Sequence, residues 1–452
     1  MRRLGLYATA RATVALAAAA VAAVMLAPLP AAATRIERVV SPSGIEVWMV
    51  EDHAIPLVAL DFSFAGGANE DPADKPGVAT MVAALLDEGA GDLDGKAFHE
   101  RLEDRAIELA FDAGRDYLHG SLRTLTENRD VAFDLLRLAV TAPRFDGDAV
   151  ERIRTQLLTG LRRESTNPVD IASRRWWEVA FPDHPYGRPA RGSLESIPRI
   201  GTDDLRSFAR RVLARDTLKV AVVGDIDAAT AGRLVDQVFS ALPAKAELRP
   251  VPAASPQGLG QHIMVDLDVP QAVVVFGGPG IARRDPDFFP AYLINHILGG
   301  GAMSSRLYVE VREKRGLAYT IHTGLLSLEH AALWVGSTGT RSDKAAETLS
   351  IIESEIKRFA EAGPTEEELA KTKSFLVGSY ALGFDSSTKI AAQLVQIQQD
   401  RLGIDYIDRR TGLIEAVTAA DVKRVARRLL DGPMLYTVVG RPPGAVAKNP
   451  GG

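Results

Sequence analysis

The 452-residue chain contains no cysteine. No disulfide and no thiolate metal site is open to it, so packing alone must hold the fold. Aromatic residues make up only 6% of the sequence, the formal charge is −5, and no basic block is interleaved with aromatics. That combination argues against a nucleic-acid partner. Long apolar runs are also missing, with one exception at the start. Arg2, Arg3 and Arg11 precede the run Ala12–Ala27, and Pro28, Pro30 and the triplet Ala31-Ala32-Ala33 follow it. Charge, apolar core and small-residue site are the pattern of a cleavable secretory signal peptide. A stable membrane span needs roughly 20 strongly apolar residues, and this run is shorter and mostly alanine. The expectation is an exported, periplasmic, soluble protein that loses residues 1–33. Their removal takes away three arginines and no acid, which moves the formal charge to −8. The remaining 419 residues exceed what one hydrophobic core normally serves.

What the sequence does contain is one internal repeat. Pro56-Leu57-Val58-Ala59-Leu60-Asp61-Phe62 leads to Gly66-Gly67 and Asp71-Pro72; Pro270-Gln271-Ala272-Val273-Val274-Val275-Phe276 leads to Gly277-Gly278 and Asp285-Pro286. The ends of the units agree as well. Asp204-Leu205-Arg206 precedes Ala209-Arg210-Arg211 and Val222-Val223-Gly224, and Asp421-Val422-Lys423 precedes Ala426-Arg427-Arg428 and Val438-Val439-Gly440. A near-constant offset from opening strand to closing strand predicts two homologous α+β domains, each a mixed or antiparallel sheet packed against helices. In the first unit, strands are expected over Glu46–Val50, Leu57–Phe64, Arg115–Thr124 and Leu218–Val223, and a helix over Gly77–Leu86. Pro243, Pro250, Val251 and Pro252 make 242–260 the most linker-like stretch. The predicted organisation is therefore 1–33 signal peptide, 34–241 first domain, 242–260 linker, 261–442 second domain and 443–452 tail.

Three further motifs carry a resemblance that spans residues 38–440. They are Phe64-Ala65-Gly66-Gly67-Ala68-Asn69-Glu70, His184-Pro185-Tyr186-Gly187 and, above all, Val311-Arg312-Glu313-Lys314-Arg315-Gly316-Leu317-Ala318-Tyr319. In these the chain resembles the pitrilysin/insulinase-like (M16) metallopeptidases, in their mitochondrial-processing-peptidase-like bacterial branch. The resemblance implies a LuxS/MPP-like metallohydrolase fold and a zinc site of the form His-x-x-Glu-His on the first helix, with a second glutamate about 76 residues onward. In this sequence those positions fall on Thr80, Ala83, Ala84 and Gly160. Alanine and glycine have no ligating side chain, so the resemblance is to the zinc-less, non-catalytic subunit of a two-chain enzyme. No cofactor is expected on this chain, and zinc is expected in the partner.

The resemblance assigns a different role to the second unit. Arg312 and Tyr319 have the spacing of a pair that reaches across a peptide chamber, binds substrate backbone and assists at the zinc-bound carbonyl. Gly300, Gly301, Ser304 and Arg306, just upstream, are candidate substrate or partner contacts. The run lacks the Gly-Lys-Ser/Thr ending of a phosphate loop. Glu310 and Glu313 are candidates to pair with Arg306 or Arg315. The eight histidines offer no second metal site: His99 with Glu103 and Asp116 with His119 supply at most two ligands each. The expected partners are a zinc-bearing M16 subunit and peptide substrates. Two other readings stay open at this point, a metal-free peptide-binding or scaffold protein (homodimeric in one form) and a hydrolase with an unrecognised site.

Overall fold

The apolar segments that open the two repeats become interior strands of two separate sheets. The computed structural model describes residues 35–441, so the signal-peptide and tail expectations for 1–33 and 443–452 lie outside the described residues. The strands of the main sheet of the first repeat are β1 (Glu37–Val40), β2 (Glu46–Glu51), β3 (Leu57–Ala65), β4 (Glu108–Ala113), β5 (Tyr117–Leu125) and β6 (Lys219–Gly224). Those of the second are β7 (His262–Asp266), β8 (Gln271–Pro279), β9 (Ala318–Ser327), β10 (Ala332–Arg341) and β11 (Leu435–Gly440). The first sheet runs β1-β2-β6-β3-β5-β4 and the second β7-β11-β8-β10-β9. Both have the same construction. The closing strand lies parallel to the first of the common strands (β6 with β2, β11 with β7), and the other pairs among the common strands are antiparallel. Strand β1 is an addition to the first sheet.

Residue alternation along β3 divides its two faces. Val58, Leu60, Phe62 and Phe64 enter one apolar core with Phe133, Leu136, Leu234 and Phe239 from the helices of the first repeat. The second sheet does the same with Val274 and Phe276 against Leu293, Ile352, Phe359 and Val425. The repeated aspartates have one structural job. Asp204 accepts the Gly201 N–H at 2.8 Å before the helix Thr202–Val212, and Asp421 accepts the Thr418 N–H at 3.0 Å before the helix Ala419–Leu430. Each satisfies an end donor that the helix itself cannot.

The opposite face of each sheet is covered by a helix from the other repeat. Helix Pro168–Ala180 lies on β11 and β8, and helix Ser387–Gln399 lies on β6 and β3. The two repeats therefore clasp each other. Residues 38–441 form one unit.

Candidate functional site

The helix predicted over Gly77–Leu86 is shorter than that: α1 runs Val78–Ala83. It starts at Gly77, whose φ of 103° suits glycine, and a Cβ there would stand 2.7 Å from Ile197 Cδ1. Asp71 reaches forward to cap it, with Oδ2 accepting from Gly77 N–H at 2.6 Å and Oδ1 from Ala79 N–H at 2.8 Å. Burial pushes the Asp71 carboxyl up to about 7, against those two bonds and the nearby Arg188 and Arg249. The helix stops at Ala83 because the chain tightens there. Leu85 N–H bonds back to the Val82 carbonyl at 3.0 Å, which turns Leu85 and Leu86 into the core.

This is the helix that the zinc motif would occupy, and its residues do not fit the metal. The Thr80 hydroxyl donates to the Ala190 carbonyl at 3.2 Å, Ala83 is buried and Ala84 is the C-cap. Gly160 lies in the helix Gly147–Glu164 with open space beside its Cα. Of the two acids that follow the helix, Asp87 is pushed up by burial, and Glu88 is held by both arms of Arg152 at 2.9 and 2.8 Å. Among the described residues no group of three or more His, Cys, Asp or Glu is placed to hold a metal ion.

In the second repeat the glycine-rich stretch forms a wide π turn, and a second one follows it at Val309–Glu313. Gly301 N–H bonds to the His296 carbonyl at 2.8 Å and Lys314 N–H to the Val309 carbonyl at 3.0 Å. Arg312 sits in the second turn, and Gly316, at φ +62°, sends the chain into β9. This brings Tyr319 back over Arg312. The Arg312 guanidinium carbon lies 4.9 Å from the Tyr319 ring centre and 4.8 Å from that of Tyr308. Tyr308 is buried, whereas Tyr319 is 78% exposed. The cation is thus fixed between two aromatic faces, and no hydrogen bond or ion pair of its side chain occurs among the described residues. Its five donors are held in place and unspent.

The upstream candidates are more committed. Arg306 is half-buried, forks onto Glu368 with two bonds of 2.7 Å and stacks on Phe359. Glu310 takes Lys314 and Arg315 at 2.6 Å each, which holds its carboxyl below the usual range. Ser304 donates to the Gly301 carbonyl at 2.9 Å. A Cβ on Gly300 would meet Asn295 Nδ2 at 2.5 Å, and one on Gly301 the His296 carbonyl at 2.6 Å. These glycines permit close packing of the π turn itself.

The peptidase M16 inactive domain matches residues 199–376. A crystal structure of a peptidase M16 inactive domain from Pseudomonas fluorescens superposes with a TM-score of 0.85 at 28% identity, over 92% of this chain and 100% of that one. The chain carries an M16-family inactive peptidase domain. The relative named "Non-peptidase homolog YmxG" from Helicobacter pylori is 28% identical over 345 residues, 76% of this chain and 79% of its own. An uncharacterized zinc protease of Streptomyces coelicolor is 26% identical over 392 residues, covering 84% and 83%.

Sequence reasoning missed the polar junction between the two repeats. Asp116 accepts from Tyr186 Oη at 2.6 Å, from Asn69 Nδ2 at 3.2 Å and, across the junction, from Glu329 N–H at 2.9 Å. Tyr117 donates to Glu329 at 2.9 Å and Arg401 to the same carboxylate at 2.6 Å. The His184-Pro185-Tyr186-Gly187 loop is buried here. His184 Nδ1 accepts from Tyr186 N–H at 3.1 Å, and Nε2 donates to the Pro252 carbonyl at 3.0 Å. Asp116 and the His184 loop were visible in the sequence, but nothing in it paired Asp116 with Glu329, 213 residues away.

Proposed function

We propose that this chain is the non-catalytic subunit of an exported, periplasmic heterodimeric zinc peptidase. It binds peptide and presents Arg312 and Tyr319 to the zinc site of its partner. The observation that carries this reading is the contrast between the repeats. The helix where zinc ligands would stand holds Thr80, Ala83 and Ala84, while the Arg312 guanidinium lies against Tyr308 and Tyr319 with no partner for its donors among the described residues. A fixed guanidinium suits a peptide carbonyl or carboxylate, and an exposed phenol adds one donor where negative charge develops on oxygen. When bound in the partner, zinc supplies the Lewis acid and the activated water. The names of relatives support both halves of the proposal, one being a non-peptidase homologue and several being zinc proteases. On this reading 34–241 and 261–442 are two domains of the LuxS/MPP-like class joined by 242–260, and two chains complete a four-domain chamber.

Purification of the chain from its native host, followed by partner identification and metal analysis, tests the proposal. One zinc per heterodimer, located on a second M16 chain, is the expected result. A zinc-free homodimer with no associated peptidase would overturn it and leave the metal-free peptide-binding protein.

A further inference from the structure

Four cations lie in the segment from Arg306 to Arg315: those two, Arg312 and Lys314. Three of them end on acids. Arg306 forks onto Glu368, and Glu310 takes both Lys314 and Arg315 and lies 3.8 Å from Arg358. Arg312 has no carboxylate partner among the described residues; it meets the ring of Tyr308, centred 4.8 Å from its guanidinium carbon. The choice of a ring over an acid matters for a cation meant for substrate. A carboxylate would hold the guanidinium strongly, but it would cancel the charge and take the N–H donors at the edge of the fork. A ring face attracts the cation through its quadrupole and leaves those in-plane donors unspent. The two rings beside Arg312 are not equal in this respect. Tyr308 is 6% exposed and belongs to the core of the second repeat, so close packing fixes its ring. Tyr319 is 78% exposed, and no core surrounds its ring. The wide turn at Val309–Glu313 sets Arg312, four residues onward, against the buried ring.

We infer that Tyr308 is a positioning residue for Arg312: its buried ring holds the guanidinium in place without neutralising its charge or taking its donors. The inference rests on the reading of Arg312 as a group that acts on substrate at the partner's zinc site. Tyr308 touches no substrate and acts only through the arginine.

Two measurements test it. The first is NMR relaxation of the Arg312 Nε–Hε group in the purified full chain, the signal being identified by its loss in Arg312→Lys. An order parameter above about 0.6 is expected in the parent, in Tyr308→Phe, which keeps the ring face, and in Tyr319→Ala, which keeps the buried ring; Tyr308→Met should fall below that value. Low order in the parent, or order lost in Tyr319→Ala, overturns the inference even if Tyr308→Met does not fold. The second is peptidase turnover of the purified heterodimer. Tyr308→Met should lower kcat by about tenfold with KM little changed, and Tyr308→Phe should restore it. Added to Arg312→Ala, Tyr308→Met should cost nothing more, because its effect passes through the arginine, whereas a general loss of structure would add to it. An inactive Arg312→Ala beside a fully active Tyr308→Met overturns the inference alone. Undiminished turnover in Arg312→Ala overturns the reading on which it rests, and the inference with it.

Discussion

The two clasping helices occupy equivalent places in the repeat and differ in what they add to an apolar contact: helix Ser387–Gln399 buries Ile390, Leu394 and Val395 but also two glutamines. Helix Pro168–Ala180 covers the second sheet with Ala172 and Trp176, against Val273, Leu333, Leu435 and Val439. The indole N–H of Trp176 donates to the Leu435 carbonyl at 3.2 Å, so even its polar atom is satisfied. Helix Ser387–Gln399 covers the first sheet and ends in Gln398 and Gln399. Gln398 donates to the Val220 carbonyl at 3.0 Å, while the Gln399 Nε2 is unpartnered. The face of β3 on that side carries Asp61 and Ser63, and Ser63 Oγ is buried without a partner. Duplicated architecture has been retained and its chemistry has diverged. The apolar clasp fastens the repeats together; the polar clasp forms one wall of a cleft between them.

Trp176→Ala should give the largest effect. Removing a fully buried aromatic side chain typically costs about 3–5 kcal/mol, readable as a lower urea midpoint. Gln398→Ala, its counterpart in the polar clasp, removes one buried hydrogen bond and should cost about 1 kcal/mol. Equal losses from the two variants would erase the contrast.

Asp61→Asn should come next, and its effect should depend on pH. Burial raises the Asp61 carboxyl from its ordinary value to about 7. A raised carboxyl favours its protonated form in the folded state. Its stabilising contribution is therefore fully present below about pH 4 and is lost as the pH rises through 7. Asn cannot ionise, so the variant should gain about 1–2 kcal/mol over the parent between pH 4 and pH 8, after discounting for partial exposure. His119, opposite Ser63 on β5, is pushed down by burial, so its own contribution is lost toward acid pH; comparing the two proteins at each pH cancels it. A pH-independent difference would show that Asp61 is ionised in the fold.

The smallest effects come from orphan hydroxyls. Ser63→Ala beneath the polar clasp and Thr437→Val on the second sheet each remove a buried oxygen without a partner, and each should raise stability by about 1 kcal/mol in thermal unfolding. A loss from Ser63→Ala would mean that a bound water satisfies its oxygen.

How far these features could be read from the sequence follows from their range. The opening strands Leu57–Ala65 and Gln271–Pro279 were legible as repeated apolar runs, and the Arg312–Tyr319 pair as a local spacing. Tyr308 also left a signal, since it stands four residues before Arg312 and therefore one helical turn away. Helix α1 was read too long because the apolar pattern continues through Leu85 and Leu86, which are buried by a turn instead. Arg306 gave no hint of Glu368, sixty-two residues distant. The choice of which sheet each clasping helix covers is a tertiary one, and an amphipathic pattern reads the same on either sheet.

The central claim is that Arg312 acts at a zinc site in another chain. Its most direct test is peptidase turnover of the purified heterodimer carrying Arg312→Ala, with zinc content and assembly measured on the same sample. The account predicts an intact, fully zinc-loaded complex whose turnover falls by about 10²-fold or more, the scale of losing one positioned donor to a developing oxyanion. Undiminished turnover in that intact complex would contradict it.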